Sequence, residues 1–142
     1  MKPRTYVITV TAIALIGLFG CATPFRAPPE AAHIKLERVD SPIVIVEKIW
    51  LERKKGPLAV TGYVIKRLDA ETTTKTHLDV TLFASDSRVL RSTVEYFEPQ
   101  DIKSGFRRHS DGRYWVELGI APAEIARIEV RAHEGEHPGR SS

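Results

Sequence analysis

The residues best suited to chemistry lie near the two ends of the chain. The stretch 133–137 reads H-E-G-E-H, so His133 and His137 are four positions apart and Glu134 follows the first of them. On a helix this spacing turns both imidazoles to one face, where they can bind zinc while the glutamate acts as a base. A helix is disfavoured here, because Gly135 lies inside the stretch and a Pro-Gly pair follows it. We expect a solvated tail in which His133 and His137 are only weak metal ligands, and no cofactor.

The N-terminal segment is organised like an export signal. Lys2 and Arg4 form a basic start without an acidic residue, and an uncharged, mostly apolar run of 14 residues follows at 6–19. A transmembrane helix needs about 20 apolar residues, so this run is short for a membrane span. Its length fits the apolar region of a secretory signal peptide.

The single cysteine of the chain follows this run. Leu18-Phe19-Gly20-Cys21 resembles the lipobox of bacterial lipoproteins, from which only Phe19 departs, since a small residue is usual there. The resemblance implies cleavage before Cys21 and acylation of that residue, with palmitate as a typical chain. The next residue is Ala22 rather than Asp, which in Gram-negative lipoproteins implies the outer membrane. The implied location is therefore the outer membrane, with the domain facing the periplasm.

The net charge of the chain depends on this cleavage. The whole sequence has a formal charge of +3, and removal of residues 1–20 takes away Lys2 and Arg4 but no acidic residue, which leaves +1. A nearly neutral exported domain without an aromatic-basic RNA motif does not favour nucleic acid as a partner. We predict membrane attachment through the lipid anchor and an envelope protein as partner.

The central part of the chain is patterned as short strands. Apolar and polar residues alternate with a period of two in about seven runs between 34 and 134. Turn-forming residues separate several runs, at 56–57, 85–87 and 111–112. Only 122–126 suggests a helical turn, and no long amphipathic helix separates the runs. These features predict an all-β fold, a single antiparallel β-sandwich of about seven strands and immunoglobulin-like type.

The predicted organisation has four parts. Residues 1–20 are a signal peptide, and 21–33 are the lipidated Cys and a flexible tether that contains three prolines. Residues 34–134 form the β-sandwich domain, and 135–142 form a disordered tail. The stretch 62–64 followed by 77–90 resembles a strand–turn–strand pattern of small envelope β-sandwich lipoproteins. That resemblance concerns the fold and carries no catalytic residue.

Two groups of residues are candidates for surface contacts. Arg107 and Arg108 form a basic cluster in the long segment 98–111. Trp115 is expected on the outer face of its strand, because Tyr114 has the same parity as the apolar residues that follow it. We predict a contact patch of Arg107, Arg108 and Trp115. The other aromatic residues are Trp50, Tyr63, Tyr96, Phe97 and Tyr114. Such residues can line a ligand groove, but in a sandwich they more commonly fill the core between the sheets, and we expect the core here.

The sequence favours a non-catalytic binding or assembly module of the cell envelope. It contains no recognisable Ser-His-Asp spacing or paired-carboxylate motif, so we predict that the protein is not an enzyme. Two alternatives stay open. One is a zinc-binding protein or hydrolase that uses His133, Glu134 and His137, and the other is a carrier that holds a small ligand between the sheets.

The lipid anchor yields the first testable prediction. The substitution Cys21→Ser removes the acyl acceptor, and because two or more acyl chains are what make membrane attachment stable, we expect the variant in the soluble periplasmic fraction. Intact-mass measurement of the wild-type protein should show an acylated N-terminal Cys21. An unmodified N-terminus, or a variant that stays with the membrane, would contradict the assignment.

Overall fold

The computed structural model of the protein describes residues 26–53, 56–105, 108–109 and 111–135, and for 104–105 and 108–109 it describes the backbone alone. Short strands dominate this part of the chain, and its helical elements are two single 3-10 turns. No helix in these ranges is long and apolar enough to cross a membrane. The helical turns are η1 (Pro29–Ala31) and η2 (Pro122–Glu124). The strands are β1 (Lys35–Val39), β2 (Val44–Arg53), β3 (Leu58–Lys66), β4 (Thr76–Phe83), β5 (Val89–Glu95), β6 (Ser104–Gly105), β7 (Arg108–His109), β8 (Gly112–Glu117) and β9 (Arg127–Glu134).

Seven of these strands form two sheets. The four-stranded sheet has the order β1-β9-β4-β5 and the three-stranded sheet has the order β2-β3-β8, while β6 and β7 pair with each other. The prediction of an all-β domain with seven strands in two sheets is confirmed. The first strand, β1, runs parallel to the last, β9, and the other pairings of the two sheets are antiparallel.

The order of the strands differs from that of a constant-type immunoglobulin domain. In a constant-type immunoglobulin domain the second and third strands lie in different sheets. Here β2 and β3 form a hairpin within the three-stranded sheet, and β4 and β5 form one within the four-stranded sheet. The turn expected at 85–87 connects β4 to β5, where the amide of Ala84 donates to the carbonyl of Arg88 and Ser87 has a positive φ of 67°.

The core lies between the two sheets. Leu51, Val60 and Val116 from the three-stranded sheet belong to one buried cluster with Val80 and Ile128 from the four-stranded sheet. Apolar burial of this kind is the main favourable contribution to folding.

The packed unit begins before the first strand. Ala31 is fully buried in the core, Ala27 packs against it, and Glu30 forms an ion pair with Arg53 at 3.0 Å. The folded unit therefore takes in the last residues of the segment that the sequence assigned to the tether.

A β-bulge divides β2 into two halves with opposite alternation. Val46 pairs with Val64, but the next pairing joins Lys48 to Tyr63. The residue between them in β2, Glu47, therefore has no partner in β3. Side chains on a strand alternate between faces, and an extra residue therefore exchanges the faces of all that follow. Val46 points into the core before the bulge, and Leu51 does so after it. As a result Trp50 lies on the outer face of the sheet.

Side chains from other elements hold the bulge in place. The carboxylate of Asp40 accepts a hydrogen bond from the amide of Val46 at 2.9 Å, and the guanidinium of Arg38 donates to the carbonyl of Glu47. The Tyr114 hydroxyl donates to the carbonyl of Lys48 at 3.4 Å. These contacts satisfy backbone groups of β2, which is an edge strand of the three-stranded sheet.

Gly62 makes the close approach at this bulge possible. It lies in β3 opposite Ile49, and a Cβ at this position would overlap the Lys48 carbonyl oxygen and the Tyr114 hydroxyl. The overlap with backbone cannot be relieved by a side-chain rotation, so the position requires glycine.

The second prediction tests this requirement. We expect Gly62→Ala to lower the free energy of unfolding by about 1–3 kcal/mol, the usual cost of forcing extra volume into a packed site. Glu117→Gln, an exposed change in the neighbouring strand β8, should stay within about 0.5 kcal/mol. Urea unfolding measures both values. Equal stabilities of Gly62→Ala and the wild-type protein would contradict the packing described here.

Candidate functional site

The outer face of the three-stranded sheet carries an aromatic and charged surface. Strand alternation buries Val60, Tyr114 and Val116, and it turns their neighbours away from the core. The outward set from the three strands includes Trp50, Glu52, Thr61, Tyr63, Arg113 and Trp115.

A groove of about 360 Å³ lies on this face. It is open at the surface rather than enclosed between the sheets, and it extends onto the segment that follows β5. We call it the aromatic groove. Its rings and charged groups are those of Trp50, Tyr63, Tyr96, Trp115, Glu52, Glu95, Glu98 and Arg113.

Contacts between side chains fix the floor of the aromatic groove. The ring centroids of Trp50 and Tyr63 are 5.2 Å apart at an interplanar angle of 47°, and the Arg113 guanidinium lies 5.0 Å from the centroid of Tyr63. Tilted aromatic pairs and cation–π pairs at these distances are attractive. The Thr61 hydroxyl donates to the Tyr114 carbonyl at 2.6 Å. The aromatic groove is therefore built on mutually supported side chains of paired strands.

The segment after β5 closes one side of the groove. Glu98 and Arg113 exchange two backbone hydrogen bonds, each of 2.8 Å, so Glu98 is held against β8. Phe97, next to it, is fully buried and anchors the segment in the core, while Tyr96 is 41% exposed. The alternation of these three residues thus brings a carboxylate and a ring to the groove.

Acidic groups outnumber basic ones in the groove. Glu52, Glu95 and Glu98 carry carboxylates, and Arg113 carries the guanidinium. Burial raises the pKa of Glu95, and a hydrogen bond from the backbone of Tyr96 partly offsets this effect. Burial also raises the pKa of the Tyr114 phenol, so this hydroxyl stays protonated and donates at the base of the groove.

The predicted contact patch is only partly within the described residues. Trp115 lies on the outer face, half-buried, and lines the groove, whereas Tyr114 is 3% exposed, so the predicted difference between these neighbours is confirmed. Cys21 and Arg107 lie outside the described residues, as does the side chain of Arg108.

The prediction that the remaining aromatic residues fill the core is correct for Phe97 and Tyr114. It is wrong for Trp50, Tyr63 and Tyr96, which line the groove. The bulge in β2 is the physical reason for Trp50, because simple alternation from Val44 would have turned this ring inward. An extra residue of this kind leaves no signal in the local sequence.

The histidine motif near the C-terminus is placed on a strand. His133 and Glu134 are the last residues of β9, where consecutive side chains point to opposite faces, so the helical arrangement that the motif requires does not form there. His137 lies outside the described residues. His133 instead meets His77 and Asp79 of β4, and these three residues are the described group that could hold a metal ion. The sequence analysis did not single out His77 or Asp79, because these residues come next to His133 only through the pairing of β4 with β9, which are far apart in the chain.

Comparison of the chain with protein-family models, with curated proteins and with solved structures gives no match. The case for function therefore depends on the chain's own residues.

The third prediction concerns Glu95. Because its pKa is raised in the folded protein, the group favours folding while it is protonated, and this stability is lost as the pH rises through the folded-state pKa. Glu95→Gln should therefore gain stability over the wild-type protein at pH 7 and lose this advantage below the ordinary glutamate pKa of about 4.3. Urea unfolding at pH 3.5 and pH 7 measures the difference, with Glu117→Gln as control. A difference that does not change with pH would contradict the assignment.

Proposed function

We propose that this chain is a lipid-anchored, non-catalytic binding module of the bacterial cell envelope. Acylated Cys21 attaches it to the outer membrane, and the aromatic groove of the β-sandwich is its contact surface for a periplasmic protein. The resemblance of residues 18–21 to a lipobox supports the anchor, and a small domain of two sheets is in keeping with an envelope β-sandwich. A fold alone does not assign a function, so the argument rests on the groove.

The observation that carries this proposal is the outward placement of Trp50 and Trp115. Tryptophan and tyrosine are large apolar groups whose burial is the usual source of stability for a β-sandwich. Here a bulge places Trp50 outside, strand alternation does the same for Trp115, and both rings line one groove with Tyr63 and Arg113. Trp, Tyr and Arg are the residue types that contribute most to binding energy at protein interfaces.

The charge of the groove indicates the chemistry of the partner. Glu52, Glu95 and Glu98 face one basic residue, Arg113, and this excess of carboxylates repels lipid phosphates and other anions. A partner segment with Lys or Arg side chains would find carboxylates to pair with and aromatic faces for cation–π contacts. We infer that the partner is an envelope protein that presents a basic segment.

The fourth prediction tests the groove as the contact surface. A photo-crosslinking amino acid is introduced at position 117, which lies on the outer face of β8, two residues beyond Trp115. The control carries the same amino acid at position 92, an exposed position in β5 of the other sheet. In intact cells, position 117 should give a discrete protein adduct, and position 92 should not. The further change Trp115→Ala should reduce this adduct at least tenfold, because a hot-spot residue contributes about 2 kcal/mol or more.

Two results would overturn this proposal. Identical adducts from positions 117 and 92 would show that crosslinking reports only proximity in the envelope. An adduct at 117 that persists in full after Trp115→Ala would show that the aromatic groove is not the recognition surface. Mass spectrometry of the adduct identifies the partner and shows whether the linked peptide is basic.

A further inference from the structure

Two histidines and an aspartate meet on one face of the four-stranded sheet. His77 and Asp79 are two positions apart in β4, so their side chains lie on the same face. His133 in β9 is the direct cross-strand partner of His77. The residues between and beside them in β4, Leu78 and Val80, point into the core, so the three polar side chains lie on the outer face.

The three side chains are close enough to share one ion. The Nε2 atom of His77 is 3.6 Å from Oδ1 of Asp79, and the Nδ1 atom of His133 is 3.4 Å from Oδ2 of the same carboxylate. One ligand atom from each residue can be chosen so that all three lie within 4.8 Å of one another. The two imidazole rings are 5.2 Å apart at an angle of 53°.

We propose that His77, Asp79 and His133 form a binding site for a divalent transition-metal ion. Zinc binds tetrahedrally to His nitrogen and carboxylate oxygen at about 2.0–2.2 Å, which separates neighbouring ligand atoms by about 3.4 Å. The two nitrogen–oxygen distances, one to each oxygen of the Asp79 carboxylate, are close to this value. Binding needs only a small approach of the two imidazoles, and His133 at the strand end can supply it.

The surroundings favour a cation at this position. Oδ1 of Asp79 is buried and has no hydrogen-bond partner among the described residues, so one carboxylate oxygen is left to be satisfied. Arg131 lies directly across from Asp79, but its guanidinium pairs with Glu129 at 3.0 Å. The carboxylate of Asp79 is therefore left facing the two imidazoles.

The site is rigid on one side and open on the other. β4 and β9 are the two inner strands of the sheet, which fixes the backbone of all three residues. The side chain of His77 is 2% exposed, that of Asp79 is 24% exposed, and that of His133 is 58% exposed. An ion can enter from the side of His133, and a water molecule can occupy the fourth position, as in zinc sites with three protein ligands.

The ligand types define the class of metal. Imidazole suits zinc, copper, nickel and iron, whereas calcium and magnesium prefer sites made of oxygen alone. Two imidazoles and one carboxylate therefore select a first-row transition ion. Tyr96 of the aromatic groove is a neighbour of His77, with ring centroids 6.2 Å apart, but no residue that lines the groove is a ligand of this site. The existence of the metal site does not depend on the function proposed for that groove.

The fifth prediction is a calorimetric titration of the full chain in detergent micelles with Zn²⁺. We expect one ion per chain and a raised melting temperature on binding. Asp79→Asn and His133→Ala should each weaken binding tenfold or more, since even residues that only support a metal ligand cost 10–100-fold. Because His77 is buried, His77→Ala can unfold the protein. The test therefore uses substitutions at Asp79 and His133, which are more exposed. Bound Co²⁺ should show the visible absorption of a tetrahedral site, lost in both variants.

The controls separate this site from the histidine motif of the tail. His137→Ala removes the second histidine of that motif, and His33→Ala removes an exposed histidine whose ring contacts the carbonyl of Pro122. Both should bind Zn²⁺ within twofold of the wild-type protein. Absence of saturable binding would overturn the proposal, and so would an effect of His137→Ala as large as that of His133→Ala. Unchanged affinity in Asp79→Asn would overturn it as well.

Discussion

The bulge between Val46 and Lys48 in β2 is the constraint on which the surface of the three-stranded sheet depends. It exchanges the faces of the strand half-way along, so the core is filled by Leu51 while Trp50 is turned outward. Asp40 and Arg38 bind its free backbone groups, and the Tyr114 hydroxyl and the missing side chain of Gly62 permit its close packing. The aromatic groove follows from this arrangement, because without the bulge its tryptophan at position 50 would lie in the core.

The pairing of β4 with β9 has a comparable effect on the other sheet. It joins two segments that are far apart in the chain and places His133 opposite His77, with Asp79 on the same face. A shift by one residue would send the two histidines to opposite faces, so the core residues on the other side of these strands fix the proposed metal site. The same sheet thus provides hydrophobic stability on its inner face and a set of polar ligands on its outer face.

Prediction from the sequence succeeded where a signal is local. The alternation of apolar residues indicated the strands, the cluster at 85–87 indicated the turn between β4 and β5, and parity distinguished buried Tyr114 from Trp115. It failed for Trp50, because an extra residue in a strand changes the face without changing the composition. It also could not connect His133 with His77 and Asp79, because their proximity is set by strand pairing across a long separation.

The sequence by itself determined the all-β class and predicts an export signal with a lipobox, since both depend on neighbouring residues or on a period of two. The tertiary structure alone decided the order of the strands, the outward position of Trp50 and the meeting of the three polar residues on β4 and β9. The physical reason is the range of the interactions. A period or a motif is encoded within a few residues, whereas strand register is chosen by the burial of the whole apolar set, and that choice also decides which polar side chains meet on the surface.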